Sequence, residues 1–375
     1  MVENQRLQEV IIERMKMSSE QAISFREYME LCLYHPDYGY YCSDKEKVGK
    51  KGDFYTSTSI GGLFGEVLAQ YMAGQARING SIKRLTCVEW GGGNGGLAKQ
   101  LLDELKLNYS DVYERIHYIS VEISPHHQSL QATSLLEHEA AGRVRWMSEE
   151  QWLAGGPWTD TIVFSNEFVD ALPVHRIQML KDEPMEIWVE WEETKACFQE
   201  KLVAIHAESP LRKYLQHIPV QLHHRQRLEI NLEALHWISR IGHALGNGQL
   251  LSIDYGDCAE EIVAEHRMNG TLMCYQNHTA ADNPYAAPGL QDLTAHVNFT
   301  ALAEAGLDVG LEAEILLTQK QFLVSNGLLD KLQNTSSTDP FSPAARRNRA
   351  VRQLLLSDQM SELFKVLVQK KGEPL

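Results

Sequence analysis

Apolar positions along the chain follow two different periods. Up to about residue 80 they recur at helical spacing. The opening run MVENQRLQEVIIERMK places its apolar residues on one side, as an amphipathic helix does. Phe25, Tyr28, Met29 and Cys32 form a second stripe that stops at Pro36, with Ser24 and Glu27 spaced as a capping box. The stretch YHPDYGYYCSDKEKVGKKGDFYTSTSIGG follows, too long and too decorated for a plain connection, which predicts a functional loop. Beyond it, short apolar runs alternate with helical stripes. Ile82, Leu85, Cys87 and Val88 predict a buried strand, and Leu97, Leu101, Leu102 and Leu105 predict the inner face of a helix. IHYISVEIS (116–124), RVRWM (143–147) and the apolar run from Thr161 to Ser165 predict three more strands. MEIWVEW (185–191) alternates like a strand within a segment that reads as an insertion. A helix with Leu228, Leu232, Leu235, Ile238, Ile241 and Leu245 on one face then ends at Gly246-Asn247-Gly248, before a further strand at 249–256. Strands and helices in this alternation predict an α/β sheet. The expected layout is a helical region over 1–80, a sheet core over 81–184 and 228–330, an insertion over 185–227, and a helical tail over 331–375.

The sharpest local signal is VEWGGGNGG (88–96), with five glycines in six positions between the first strand and its helix. Such a turn lets backbone approach a ligand closely, and the helix start that follows favours an anionic group. A P-loop would carry Lys-Ser or Lys-Thr after the last glycine, and this chain has Leu97-Ala98. Glu89 with Gly91, Gly93 and Gly95 spells E-x-G-x-G-x-G. An acid at that strand end repels a pyrophosphate but suits a ligand bearing an ammonium and a sulfonium. S-adenosylmethionine is such a ligand. Glu122, at the end of the second strand, stands where an acid accepts hydrogen bonds from both ribose hydroxyls. NAD would use an acid there too, so Glu122 alone does not separate the two cofactors.

Composition changes this picture little. Charged residues make up 23% and hydrophobic residues 43% of the 375, values of an ordinary globular chain. The net charge of −15 argues against a general nucleic-acid binder and is compatible with a basic protein partner. Six scattered cysteines without a C-x-x-C pair suggest free thiols rather than disulfides or a metal site. With no signal-peptide core and no run of membrane-spanning length, the expected location is cytoplasmic.

Ligands of a doubly wound sheet gather at the carboxyl ends of its strands. Asn166, Glu167 and Asp170 follow the fourth strand in NEFVDALP, and Asp254 ends the next one. Capping explains Asn166 and Glu167 about as well as catalysis does. The lack of basic residues at these strand ends favours an acid-lined pocket for a cationic acceptor.

In order along the chain, GDFYTSTS and FGE (52–66), VEWGGGNGGLA, SNEFVDALPV, IDYG and GTLMCYQNHTAADNPYAAPGLQDLTAHVNF (270–299) resemble the motifs of the MidA-like family. Mitochondrial members of that family are complex I assembly factors that act as protein arginine methyltransferases. The resemblance spans roughly residues 20 to 325 and implies a Rossmann-like class I methyltransferase fold with insertions, and S-adenosylmethionine as methyl donor. It implies Glu89, Gly91, Gly93, Gly95 and Glu122 as donor-binding residues, and Glu167, Asp170 and Asn166 as catalytic ones. Asp53, Phe54, His278 and Asp292 match positions on the substrate side, and the partner it implies is a protein with an accessible arginine. The chain departs from the family at Thr58-Ser59, where members often carry Pro-Glu, and at Gly61-Gly62. This puts acceptor specificity, not fold or donor, in question. A small-molecule or other side-chain methyltransferase, or an assembly factor with vestigial donor binding, are the rival readings.

Overall fold

Both Cys87 and Val88 are wholly buried, so the strand β1 (Thr86–Trp90) is covered on both faces, as the middle of a parallel sheet requires. The computed structural model describes residues 2–42, 62–77, 84–218, 222–276, 279–334, 339–356 and 362–372. These divide into two units. One takes its residues from Val48–Phe168, Ile238–Tyr255 and Ala303–Leu375, the other from Met1–Lys47, Val169–Trp237 and Gly256–Leu302.

The first unit is built on β1, β2 (His117–Val121), β3 (Val144–Met147), β4 (Thr161–Asn166), β5 (Gly248–Asp257), β6 (Glu312–Thr318) and β7 (Phe364–Lys371). Along the main path of the sheet they lie in the order β6-β7-β5-β4-β1-β2-β3. The first five strands run parallel, whereas β7 is antiparallel to both β5 and β6. Chain order reverses between β1 and β4, which makes the carboxyl ends of those two strands the topological switch point. The fold is therefore the Rossmann-like α/β sheet that the sequence led us to expect.

Helix Gly96–Asn108 buries Leu97, Leu101, Leu102 and Leu105, the four residues of the expected inner stripe. They join Tyr118, Phe164, Leu251, Ile253, Val366 and Val368 in one apolar core with helix Leu63–Ala76. Two expectations about this unit change. Residues 331–375 are not a helical tail throughout: helix Pro343–Leu356 forms, but Phe364–Lys371 enters the sheet as β7. Its flanking lysines disguise a strand whose Val366, Leu367 and Val368 are buried from both faces. The core also reaches beyond 330 and stops at Phe168 rather than 184.

The other unit is mainly antiparallel. His175–Leu180, Glu183–Glu192, Cys197–Ala204 and Arg227–Ile230 form a sheet with the short N-terminal strand Ala22–Ser24. Leu228, expected on a helix, faces Ile177 in this ladder, and the helix begins only at Leu232. Alternation of Leu228 and Ile230 into a small core with Ile177, Ile205 and Leu211 outweighs the helical spacing. The insertion expected over 185–227 is thus part of a larger sheet. Ser24 does cap helix Phe25–Tyr34, its hydroxyl accepting the Glu27 N–H at 3.2 Å. The Glu27 carboxylate pairs with Arg14, so the expected box is closed on one side only. A second sheet joins Met273–Gln276 to Thr279–Ala281 and Asp292–Thr294. Among the described residues no helix is long and apolar enough to cross a membrane.

Because β7 lies between β5 and β6, removing it exposes two strand edges at once. A chain ending before Phe364 is expected to lose its cooperative thermal transition, measured by circular dichroism. A sharp transition near the parent's temperature would contradict this placement.

Candidate active site

At the switch point the chain turns from β1 into helix Gly96–Asn108 through residues that only glycine accommodates easily. Gly91, Gly93 and Gly95 have φ of +69°, +53° and +78°. The two that matter most differ in their surroundings. A Cβ on Gly91 would meet Phe168 Cδ2 at 2.6 Å, so that glycine serves packing. Among the described residues one on Gly93 would meet nothing within 4 Å, which leaves that side of the peptide to a ligand. Gly95 caps the helix without a side chain, and Asn94 Oδ1 accepts the Gly96 N–H at 3.0 Å.

Two polar side chains fix this turn. Glu122, directly after β2, accepts the Gly93 N–H at 3.1 Å and the Ser124 N–H at 2.9 Å. Gln131 donates to the Gly93 carbonyl at 2.8 Å. The same side chain accepts from the Ser120 hydroxyl at 2.7 Å and the Trp146 indole at 2.8 Å. Sequence reasoning missed Gln131. The available signal was a polar residue on a helix, Pro125–Ser134, where it is fully buried. Glu89 lies beneath the turn, 2% exposed, and accepts the Tyr118 hydroxyl at 2.7 Å. Burial pushes its carboxyl up to about 7, with the Tyr118 hydrogen bond opposing and the Glu122 charge adding to the shift.

At the end of β4, Glu167 adopts φ +52°, uncommon for a residue with a side chain. Its N–H bonds the Ile253 carbonyl at 2.9 Å, and its carboxylate accepts from Asn166 Nδ2 at 3.1 Å. Asp254, wholly buried, accepts the Phe168 N–H at 3.2 Å and the Tyr255 N–H at 3.0 Å. Its visible work is to join the ends of β4 and β5. Asp170 and Asp292 belong to the other unit, where both are buried. Asp53, Phe54 and His278 lie outside the described residues, as do Thr58, Ser59 and Gly61.

An open glycine at a switch point, framed by a strand-end acid, fits S-adenosylmethionine, and the protein is of the class I methyltransferase type. A model of a family of S-adenosyl-L-methionine-dependent methyltransferases matches residues 67–317. The chain belongs to that family, the MidA-like one. Among its relatives is the Drosophila melanogaster protein arginine methyltransferase NDUFAF7 homolog, mitochondrial, 28% identical over 76% of this chain and 67% of that protein. The Danio rerio protein arginine methyltransferase NDUFAF7, mitochondrial, is 28% identical over 91% of this chain and 82% of its own length. A Burkholderia thailandensis protein solved with S-adenosyl-homocysteine superposes with a TM-score of 0.87 at 29% identity, over 99% of this chain and 93% of that one. S-adenosylmethionine is the cofactor, and the chain is a methyltransferase.

Two outcomes are expected at the donor site. Gly93→Ala places a methyl group in the open side of the turn and strains a positive φ. Calorimetry should show at least a roughly tenfold loss of S-adenosylmethionine affinity, about 1.4 kcal/mol, with a smaller drop in melting temperature than Gly91→Ala, which strikes Phe168. Equal donor affinity in Gly93→Ala and parent would remove the turn from the donor site.

The second outcome follows from Glu89. From its ordinary 4.5 up to about 7, the folded chain keeps a proton that the unfolded chain has released. Stability therefore falls as pH rises through that window. Glu89→Gln keeps an acceptor for Tyr118 and removes the titration. Between about pH 5 and about pH 8 the parent should lose more melting temperature than the variant. Parallel pH profiles would show that Glu89 ionises normally.

Proposed function

We propose that the chain methylates arginine on a protein, of the respiratory complex I subunit type, and that Glu167 supplies a carboxylate for the acceptor. The observation that carries this reading is Glu167: a non-glycine residue held at φ +52° directly after β4, at the sheet's ligand-binding edge. Strain of that kind persists where surrounding bonds over-determine it, and it concentrates at functional positions. The names of the fly and fish relatives support arginine as the acceptor. Those names also say mitochondrial; for this chain the cytoplasm is our proposal, on scattered cysteines that suit a reducing compartment.

When bound, S-adenosylmethionine supplies an electrophilic methyl group on a sulfonium. The chain's own task is to orient a guanidinium and take its proton. Removing that proton at neutral pH before attack costs roughly 8 kcal/mol, about six pKa units. A carboxylate is therefore better used to hold the planar cation through paired N–H bonds and to accept the proton as the new C–N bond forms. The Asn166 amide, bonded to Glu167, fixes the direction of that carboxylate.

Labelled S-adenosylmethionine with host lysate should label a protein band that yields methylarginine on hydrolysis. Glu167→Gln keeps shape and deletes charge, so turnover should fall by about 10²-fold while donor affinity stays within about threefold. Label confined to small metabolites, or full activity of Glu167→Gln, would overturn the reading.

A further inference from the structure

Three neighbouring strands of the sheet unit are entered through basic residues. Arg84 precedes β1, His117 opens β2, and Arg143 and Arg145 flank Val144, the first residue of β3. His117 lies in register with Thr86, and Arg145 with Ile119, so these residues meet at the amino ends of the three strands. Arg84 Nη2 comes within 3.5 Å of His117 Nδ1. Arg143 donates from Nη1 to the Glu114 carbonyl, and the Arg145 guanidinium stands over Trp158, 5.9 Å from the ring centre. Arg84 and Arg145 are exposed, and His117 is half-buried.

The charges in this group are not balanced. Burial first, and then Arg84, Arg145 and Arg143, hold the His117 imidazole below its ordinary range, with no acid acting against them. Among the described residues no carboxylate forms an ion pair with Arg84, Arg143 or Arg145. Other arginines of the same unit do find acids: Arg77 pairs with Asp111, Arg240 with Glu149 and Arg347 with Glu66. Acids are not scarce in a chain of net charge −15. Cations that stay together unrelieved on its surface create a local positive field that calls for an anion from outside.

We propose that Arg84, His117 and Arg145, with Arg143 beside them, form a docking face for an acidic, extended segment of a partner protein. Guanidinium groups hold carboxylates through planar, paired N–H bonds. A nucleic acid fits less well. Its bases need an aromatic ring to stack on, and the Trp158 ring is already engaged: it stacks on Trp152, centroids 5.8 Å apart, and carries Arg145. A long phosphate backbone would also run beyond these few cations onto the acidic remainder of the chain. The face lies at the amino ends of β1 to β3, and the donor turn follows the carboxyl end of β1. A five-residue strand separates its two ends by about 15 Å, so a docked segment leaves the turn clear.

Fluorescence anisotropy of a labelled hexaglutamate peptide tests this on the full chain without methyl donor. The parent should bind the peptide, and less tightly as salt rises from about 20 to about 150 mM. Arg84→Gln should weaken binding about threefold and Arg145→Glu about tenfold. Arg349→Glu, at an exposed position of helix Pro343–Leu356, changes net charge by the same amount as Arg145→Glu. It should stay within about twofold of the parent, which separates the local face from bulk charge. Bound peptide should also raise the His117 pKa toward its ordinary value, followed by NMR, because an anion then stands among the cations. No binding, equal losses in Arg145→Glu and Arg349→Glu, or a His117 titration that the peptide leaves unmoved would each overturn the face. Hexathymidylate bound as tightly as hexaglutamate through the same arginines would overturn it too, in favour of a nucleic-acid site. Since neither donor nor turnover is read, these results stand apart from the arginine methylation proposed above.

Discussion

Gly93 is gripped at both of its backbone groups, its N–H by Glu122 and its carbonyl by Gln131. The rest of the donor site hangs on this double hold. Glycine gives the turn the positive φ it needs but, left alone, would also give it many other conformations. Two charged or amide partners remove that freedom before any ligand arrives. Gln131 passes the constraint outward to β2 through Ser120 and to β3 through Trp146, so that three consecutive strands share one amide group. Each bond is individually modest, but a buried network that is fully satisfied is stiff, and breaking one member strands the others.

What could be seen in the sequence was whatever depended on near neighbours. The glycine turn, the flanking strand and the inner stripe of helix Gly96–Asn108 are written in a stretch of about twenty residues, where spacing and turn chemistry decide the structure. Strand-end acids follow from the same local frame. Gln131 was invisible because its partners come from Gly93, Ser120 and Trp146, segments that only the folded sheet brings together. Leu228 was misplaced for a related reason: its helical spacing with Leu232 is real, but pairing with Ile177 is a long-range gain that periodicity cannot register. At Ser24 the local rule worked for the hydroxyl, whereas Glu27 found Arg14, thirteen positions away, in place of its own helix end.

The segment SNEFVDALPV shows why one motif need not mean one role. Between Phe168 and Val169 the chain leaves the sheet unit and enters the other, so Asn166 and Glu167 take their partners from one set of elements and Asp170 from another. Glu167 answers to the Ile253 carbonyl. Asp170 shares the company of tyrosines and Asp292. Two residues of sequence separate two carboxylates whose surroundings differ, and it is surroundings that set what an acid can do.

The position of β7 has a further consequence for how the protein comes into being. Strands β1 to β5 pair in parallel with one another and are all synthesised by residue 257, so that part of the sheet can assemble as the nascent chain lengthens. The edge of β5 and the pairing of β6 wait on Phe364–Lys371, which follows every other strand of this sheet in the sequence. Until it does, the growing polypeptide carries an open, apolar sheet edge around Leu250, Leu251 and Ile253. Synthesis from the N-terminus therefore leaves a time window in which a chaperone, or a second nascent copy, competes with β7 for that edge.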